Sequence, residues 1–166
     1  MSMLTPVNKV LASVLVGLVV LTTILSGSAG ASQVKTLSRQ DLDAMISANK
    51  GAVTLVVYWA TWCSSCRQEI PVLNEIRAAY PQDKVKIMGI SMDRDAGQLE
   101  AFMDMVDFAY DIYRVPEDQS HGFRDIVALP TLVFYKKNGT KGWTHKGLML
   151  PGQIRKTIDI FARETQ

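Results

Sequence analysis

Apolar and polar positions along this chain switch between a period of about two and a period near 3.6, and the switches mark out the elements. Val53-Thr54-Leu55-Val56-Val57-Tyr58-Trp59 is a near-continuous apolar, β-branched run, the pattern of a fully buried strand. Ile70, Leu73, Ile76 and Tyr80 follow at near-helical spacing. Upstream, Ser38-Arg39-Gln40-Asp41 has the form of a capping box and opens a helix through about Ala48, with Leu42, Met45 and Ile46 as its stripe. Pro81 ends the post-strand helix, and Val85 to Ile90 reads as a second, parallel-type strand. Leu99, Phe102, Met103 and Val106 stand at i, i+3, i+4 and i+7, a helix buried on one face. The Met-rich stretch Met103–Met105 reads as core packing, because Met commonly fills core gaps.

Phe108 to Tyr113 is expected as a third strand, and residues 116–120 as a loop leading to a short helix near Gly122–Ile126. Thr131–Tyr135, the Asn138-Gly139 turn and Gly142–Lys146 spell a hairpin. Pro151 opens a final amphipathic helix with Ile154, Ile158 and Phe161. Strands alternating with helices, closed by a hairpin, predict an α/β fold: a mixed sheet with helices on both faces.

The first residues read differently. From Val10 to Val34 there is no charge, and Val10 to Leu25 is almost continuously apolar, preceded by Lys9 and followed by Ser28-Ala29-Gly30-Ala31. That order is an export signal with cleavage expected after Ala31. Its sixteen-residue apolar core makes about 24 Å of helix against a hydrocarbon layer of about 30 Å. The expectation is a signal peptide over 1–31, with an uncleaved anchor as the alternative, then a linker over 32–37 and one domain over 38–166. No Cys follows the apolar core, so a lipid-anchored form is excluded. Removing 1–31 leaves 135 residues with a net charge near +1. That is enough for one core, and too little charge to favour nucleic acid or a charge-held membrane surface.

Only two cysteines occur, Cys63 and Cys66, separated by Ser64-Ser65. They fall where the buried strand gives way to a helix, so Cys63 sits at a helix N-terminus. Unpaired N–H groups and the macrodipole there favour a thiolate, the form that attacks disulfides. Cys66, one turn further on, can resolve a mixed disulfide. A zinc site needs four ligands, and the only histidines, His121 and His145, stand twenty-four positions apart. Covalent haem attachment needs His after the second Cys, where Arg67 stands. A permanent disulfide would close too small a loop to stabilise much. Redox chemistry is the reading left standing, and it calls for no cofactor and no metal.

Trp59-Ala60-Thr61-Trp62-Cys63-x-x-Cys66, Glu69 and Pro71, with Leu129-Pro130-Thr131 opening the later strand, resemble the thioredoxin superfamily. The resemblance is to its exported TlpA/ResA-type thiol–disulfide oxidoreductases, and extends over roughly residues 36–164. It implies a thioredoxin-like fold in which Pro130 is cis and faces the dithiol. It also implies a central strand–helix insertion, here Val85 to Val106, since Cys66 and Pro130 are 64 positions apart. Trp62 and the Leu129–Pro130 backbone are then expected to receive a substrate chain. Thioredoxins proper carry a buried Asp where this chain has Val57, so the acid–base work is expected of Glu69 or of water. The intervening dipeptide Ser64-Ser65 lacks the usual proline, so a reduction potential cannot be borrowed from a relative.

The function expected on these grounds is an exported thiol–disulfide oxidoreductase, monomeric and acting in a periplasm or on the outer face of the cytoplasmic membrane. It would reduce cysteine-containing exported proteins and be recharged by a membrane-embedded electron donor. Within the family, apocytochrome c and copper-delivery proteins are typical substrates. A disulfide-introducing oxidase and a copper-binding chaperone of similar fold are the alternatives. The chaperones use Cys-x-x-x-Cys, one residue longer than the spacing here.

Overall fold

The computed structural model describes residues 34–164. In chain order they form β1 (Lys35–Thr36), α1 (Arg39–Ala48), β2 (Val53–Trp59), α2 (Ser64–Ala79), β3 (Val85–Ser91) and α3 (Ala96–Met103). Then come β4 (Asp111–Arg114), a 3-10 helix (Glu117–Phe123), β5 (Thr131–Tyr135), β6 (Lys141–Lys146) and α4 (Pro151–Arg163). The expected export segment and its cleavage site lie outside the described residues. Among the described residues no helix is long and apolar enough to cross a membrane.

The six strands make one mixed sheet in the order β1-β4-β3-β2-β5-β6. β2 runs parallel to β3, from Val53 opposite Val85 to Trp59 opposite Ser91, and antiparallel to β5. All seven β2 residues are buried, because β2 is central and both faces are covered. Val53, Leu55 and Val57 pack with Leu73 and Ile76 of α2 and with Ile154 and Ile158 of α4. Val56 and Tyr58 point the other way, into a cluster with Leu42 and Ile46 of α1 and Phe123. A strand between two helical layers has no solvent face, hence the continuous apolar run. The fold is the expected α/β mixed sheet.

Local signals explain the element ends. Ser38 caps α1 in a complete capping box: its hydroxyl accepts from Asp41 N–H and the Asp41 carboxylate accepts from Ser38 N–H. Gly139, at φ 84°, makes the β5–β6 turn. Gly89 serves closeness instead. A Cβ there would lie 2.5 Å from Ile112 Cδ1 and 3.2 Å from Trp59 Nε1, so its bare backbone lets the Trp59 indole lie against β3.

Several expectations need correction. Residues 35–37 are not linker: Lys35 and Thr36 pair in parallel with Tyr113 and Arg114, and Leu37 is buried. The third strand is Asp111–Arg114 rather than Phe108–Tyr113, because Phe108 and Tyr110 instead pack around Trp59 and its neighbours. The short helix is 3-10 and lies earlier, over Glu117–Phe123. α3 stops at Met103, and Met105 is 77% exposed. The core-packing reading of Met103–Met105 therefore fails at Met105, which stands beyond the helix end.

Candidate active site

β2 ends at Trp59, and a tight turn carries the chain into α2, with Cys63 N–H donating to Ala60 O at 3.1 Å. Cys63 is the N-cap of α2: its sulfur accepts from Cys66 N–H at 3.2 Å. Ser65 Oγ lies 3.4 Å from the same sulfur. The two cysteines are joined in a disulfide, with Cα atoms 5.2 Å apart. Cys66 is the deeper, at 2% exposure against 8% for Cys63. Beneath them lie Ile70 and the Trp59 indole, with Leu99 of α3 and Ile112 of β4 closing the cluster. Trp59 packs on Phe102 and Phe108 with ring centroids 5.8 and 5.1 Å away.

The Leu129–Pro130 bond is cis, as the family resemblance implied. The turn is held on both sides of the proline. Thr131 Oγ1 donates to Ala128 O at 2.7 Å and Gly147 N–H to Pro130 O at 2.8 Å. Between this turn and the dithiol lies an open cavity of about 430 Å³, lined by Trp62, Cys63, Met92 and residues 126–129. Trp62 is 64% exposed and forms part of its rim. Of the two cysteines, Cys63 is the one among the lining residues. Pro130 itself is buried behind Leu129.

Glu69 is not the solvated helix-surface residue that its type usually is. It is buried, at 1% exposure, because the chain entering α4 closes over it. Its Oε1 accepts from Met149 N–H at 2.9 Å, while Oε2 is buried without a partner. Burial pushes the carboxyl up from the ordinary 4.5 to about 7, outweighing the Met149 N–H, which pulls the other way. The structure thus brings Trp62, Cys63 and Leu129 to one cavity, with Cys66 directly below. Glu69 stands one helical turn beyond Cys66. His121 and His145 stand away from the dithiol: His121 bonds Asp118 O, and His145 bonds Leu148 O and packs on the Trp143 ring.

The sequence reading missed one residue of this region, Asp93. It is buried at 2% exposure and hydrogen-bonded to Thr61, two positions before Cys63. Its one local signal is the spacing Ser91-x-Asp93 at a strand end, which forms a closed turn: Asp93 N–H donates to Ser91 Oγ and Ser91 Oγ–H to the carboxylate. Nothing local points to Thr61, thirty-two positions away.

A thioredoxin-like family model matches residues 51–140, more than half of the chain and the span holding both cysteines and the cis turn. The chain belongs to the thioredoxin-like family. Among curated relatives of this thioredoxin-like chain, the thiol-disulfide oxidoreductase ResA of Oceanobacillus iheyensis is 30% identical over 93 residues, 54% of this chain and 47% of the relative. The thioredoxin-like protein YneN of Bacillus subtilis is 26% identical over 67% of this chain and 66% of its own length. This chain therefore spans about half to two thirds of the curated relatives it matches. Among solved structures, the thiol:disulfide interchange protein DsbE of Chlorobium tepidum superposes with a TM-score of 0.62 at 23% identity. That alignment covers 70% of this chain and 84% of the other, and at this identity it speaks for the fold alone.

Proposed function

We propose that this protein is a thiol–disulfide oxidoreductase that reduces disulfides of other exported proteins through Cys63 and Cys66. The observation that carries the reading is the position of Cys63. Its sulfur caps a helix and accepts a backbone N–H, and Cys63 lines the apolar cavity beside the cis turn. In the reduced protein the helix N-terminus and the Cys66 N–H favour the Cys63 thiolate. That thiolate attacks a substrate disulfide and releases one substrate thiolate. Cys66 then attacks the Cys63 sulfur, re-forming the Cys63–Cys66 bond and releasing the second thiol. Two electrons pass to the substrate, and a membrane-embedded donor restores the dithiol.

Cys66 must lose its proton in a nearly water-free site. Glu69, one turn along the same helix and held near 7 by burial, is the group suited to take it. Trp62 and Leu129 offer apolar surface to the substrate chain flanking its cysteine. The leader-like pattern of residues 1–31 supports export, and the reading as a monomer needs no second chain to complete the site.

The oxidase reading has one observation of its own, Ser65 Oγ at 3.4 Å from Cys63 Sγ. A donated O–H stabilises the thiolate and so the reduced form. A neutral hydroxyl contributes about 1 kcal/mol, under one pKa unit. Oxidants and reductants of this fold differ by several times that, so the reductant reading stands. Insulin reduction tests the activity: the reduced chain should precipitate insulin B chain, and Cys63→Ser should abolish it. Retained activity in Cys63→Ser overturns the reading. Direction is tested by equilibrating the pair with glutathione, where a potential above about −150 mV assigns an oxidant.

A further inference from the structure

Asp93 has no part in the exchange described above, yet it holds the segment that leads into Cys63. One carboxylate oxygen accepts from Thr61 Oγ1 at 2.7 Å and from Thr61 N–H at 3.2 Å. The other accepts from the same N–H at 3.0 Å and from Ser91 Oγ at 2.7 Å. Next to it, Met92 N–H donates to Trp59 O at 2.8 Å. The chain leaving β3 therefore grips the chain leaving β2 at two successive points, just before the turn that presents Cys63.

We propose that Asp93 is a positioning residue for Cys63, holding the 60–63 turn while its buried negative charge opposes the Cys63 thiolate. The proposal rests on the dithiol reading above and adds a second determinant of its redox balance. The helix N-terminus and the Cys66 N–H favour the thiolate, and so the reduced state. A carboxylate removed from water acts against it with little screening. Its effect is to keep the reduced form less stable and the couple a better reductant. Other charged groups on the adjoining segments are Arg67 and Glu69 of α2, Arg94 and Asp95 after Asp93, and Arg114 of β4, which stands opposite Ser91 and donates to Arg94 O at 3.1 Å. Arg67, Arg94 and Asp95 are exposed, and residues 126–131 carry no charge.

Asp93→Asn separates charge from position. With the amide oxygen placed nearer Thr61 N–H, it accepts from that N–H and from Ser91 Oγ, and the amide N–H₂ can donate to Thr61 Oγ1, whose hydroxyl rotates to suit. In the full chain carrying this change, Cys63 in the reduced protein should alkylate with iodoacetamide about three- to tenfold faster at pH 7. The exchange of the Cys63–Cys66 disulfide with two glutathiones, giving dithiol and glutathione disulfide, should shift toward dithiol by a similar factor. Asp93→Ala removes every acceptor, and should lower the insulin-reduction rate at least tenfold through the loosened turn. If that variant does not fold, Asp93→Asn still decides. A merely structural Asp93 would lower Tm in Asp93→Asn and leave alkylation and the glutathione equilibrium within twofold of the parent. That result overturns the proposal. The earlier reading fails differently, in the parent chain, by an absence of insulin reduction.

Discussion

Glu69 and Asp93 are two buried carboxyl groups, one a turn beyond Cys66 and the other bonded to Thr61 ahead of Cys63, and their surroundings differ in the number of donors. Glu69 receives a single N–H, from Met149, and keeps one oxygen without a partner. Asp93 receives an N–H and two hydroxyls, spread over both oxygens. Desolvation penalises a buried charge unless hydrogen bonds replace the lost water. An under-supplied carboxylate is therefore pushed toward its protonated form and becomes a group that can gain and lose a proton. A well-supplied one is fixed in place, and its donors are fixed with it. Burial by itself does not tell the two roles apart; the donor count does.

The largest expected effect that can break this comparison belongs to Glu69. Its value in the folded chain is raised from 4.5 to about 7, so it binds its proton more tightly folded than unfolded. Below about pH 4.5 both states hold the proton and there is no penalty. As pH rises through 7 the fold must accept a buried charge, and stability on the order of 3 kcal/mol is lost. Glu69→Gln keeps an acceptor for Met149 N–H and removes the titration. It should match the parent in urea unfolding at pH 4 and exceed it by up to about 3 kcal/mol at pH 8. Equal pH slopes in the two proteins would show that Glu69 is as well supplied as Asp93. The same variant should slow insulin reduction by about 10² if the carboxylate takes the Cys66 proton.

A smaller effect tests the Asp93 side. Thr61→Val keeps the shape of Thr61 and its N–H but removes the 2.7 Å hydroxyl bond. Unfolding stability should fall by about 1–2 kcal/mol in urea unfolding at pH 7. No loss at all would mean that the carboxylate does not need that donor.

The smallest stability effect is expected at the rim. Trp62 is 64% exposed, so Trp62→Ala should change unfolding stability by no more than about 0.5 kcal/mol. It should still raise KM for a protein disulfide several-fold with kcat unchanged. A stability loss comparable to that of Thr61→Val would mean the indole supports the loop rather than the substrate.

Where sequence reasoning succeeded, the information was local. The β2 limits at Val53 and Trp59 are legible because a strand buried on both sides is apolar at nearly every position, Thr54 being the one exception here. Cys63 at the start of α2 followed from the switch of period alone. The α1 cap was legible because both partners of the capping box lie within four residues. The fold class followed from the alternation of such segments, and the cis bond at Pro130 from a family resemblance rather than from any local pattern.

What sequence did not carry was set by partners far along the chain. Lys35–Thr36 has no strand pattern, and is a strand only because β4 offers it an open edge. Glu69 looks like any helix-surface acid, and its burial comes from Met149, eighty positions away.

By itself, then, the sequence determined most of the elements, the dithiol and the helix end on which it sits, because these depend on neighbours within a turn or a strand. Only the tertiary structure decided which donors meet the two buried acids, Glu69 and Asp93. A buried carboxylate must take its donors from whatever the fold packs against it. For Glu69 and Asp93 those donors come from Met149 and from Thr61 with Ser91, brought into reach by the sheet order and the helices packed on it.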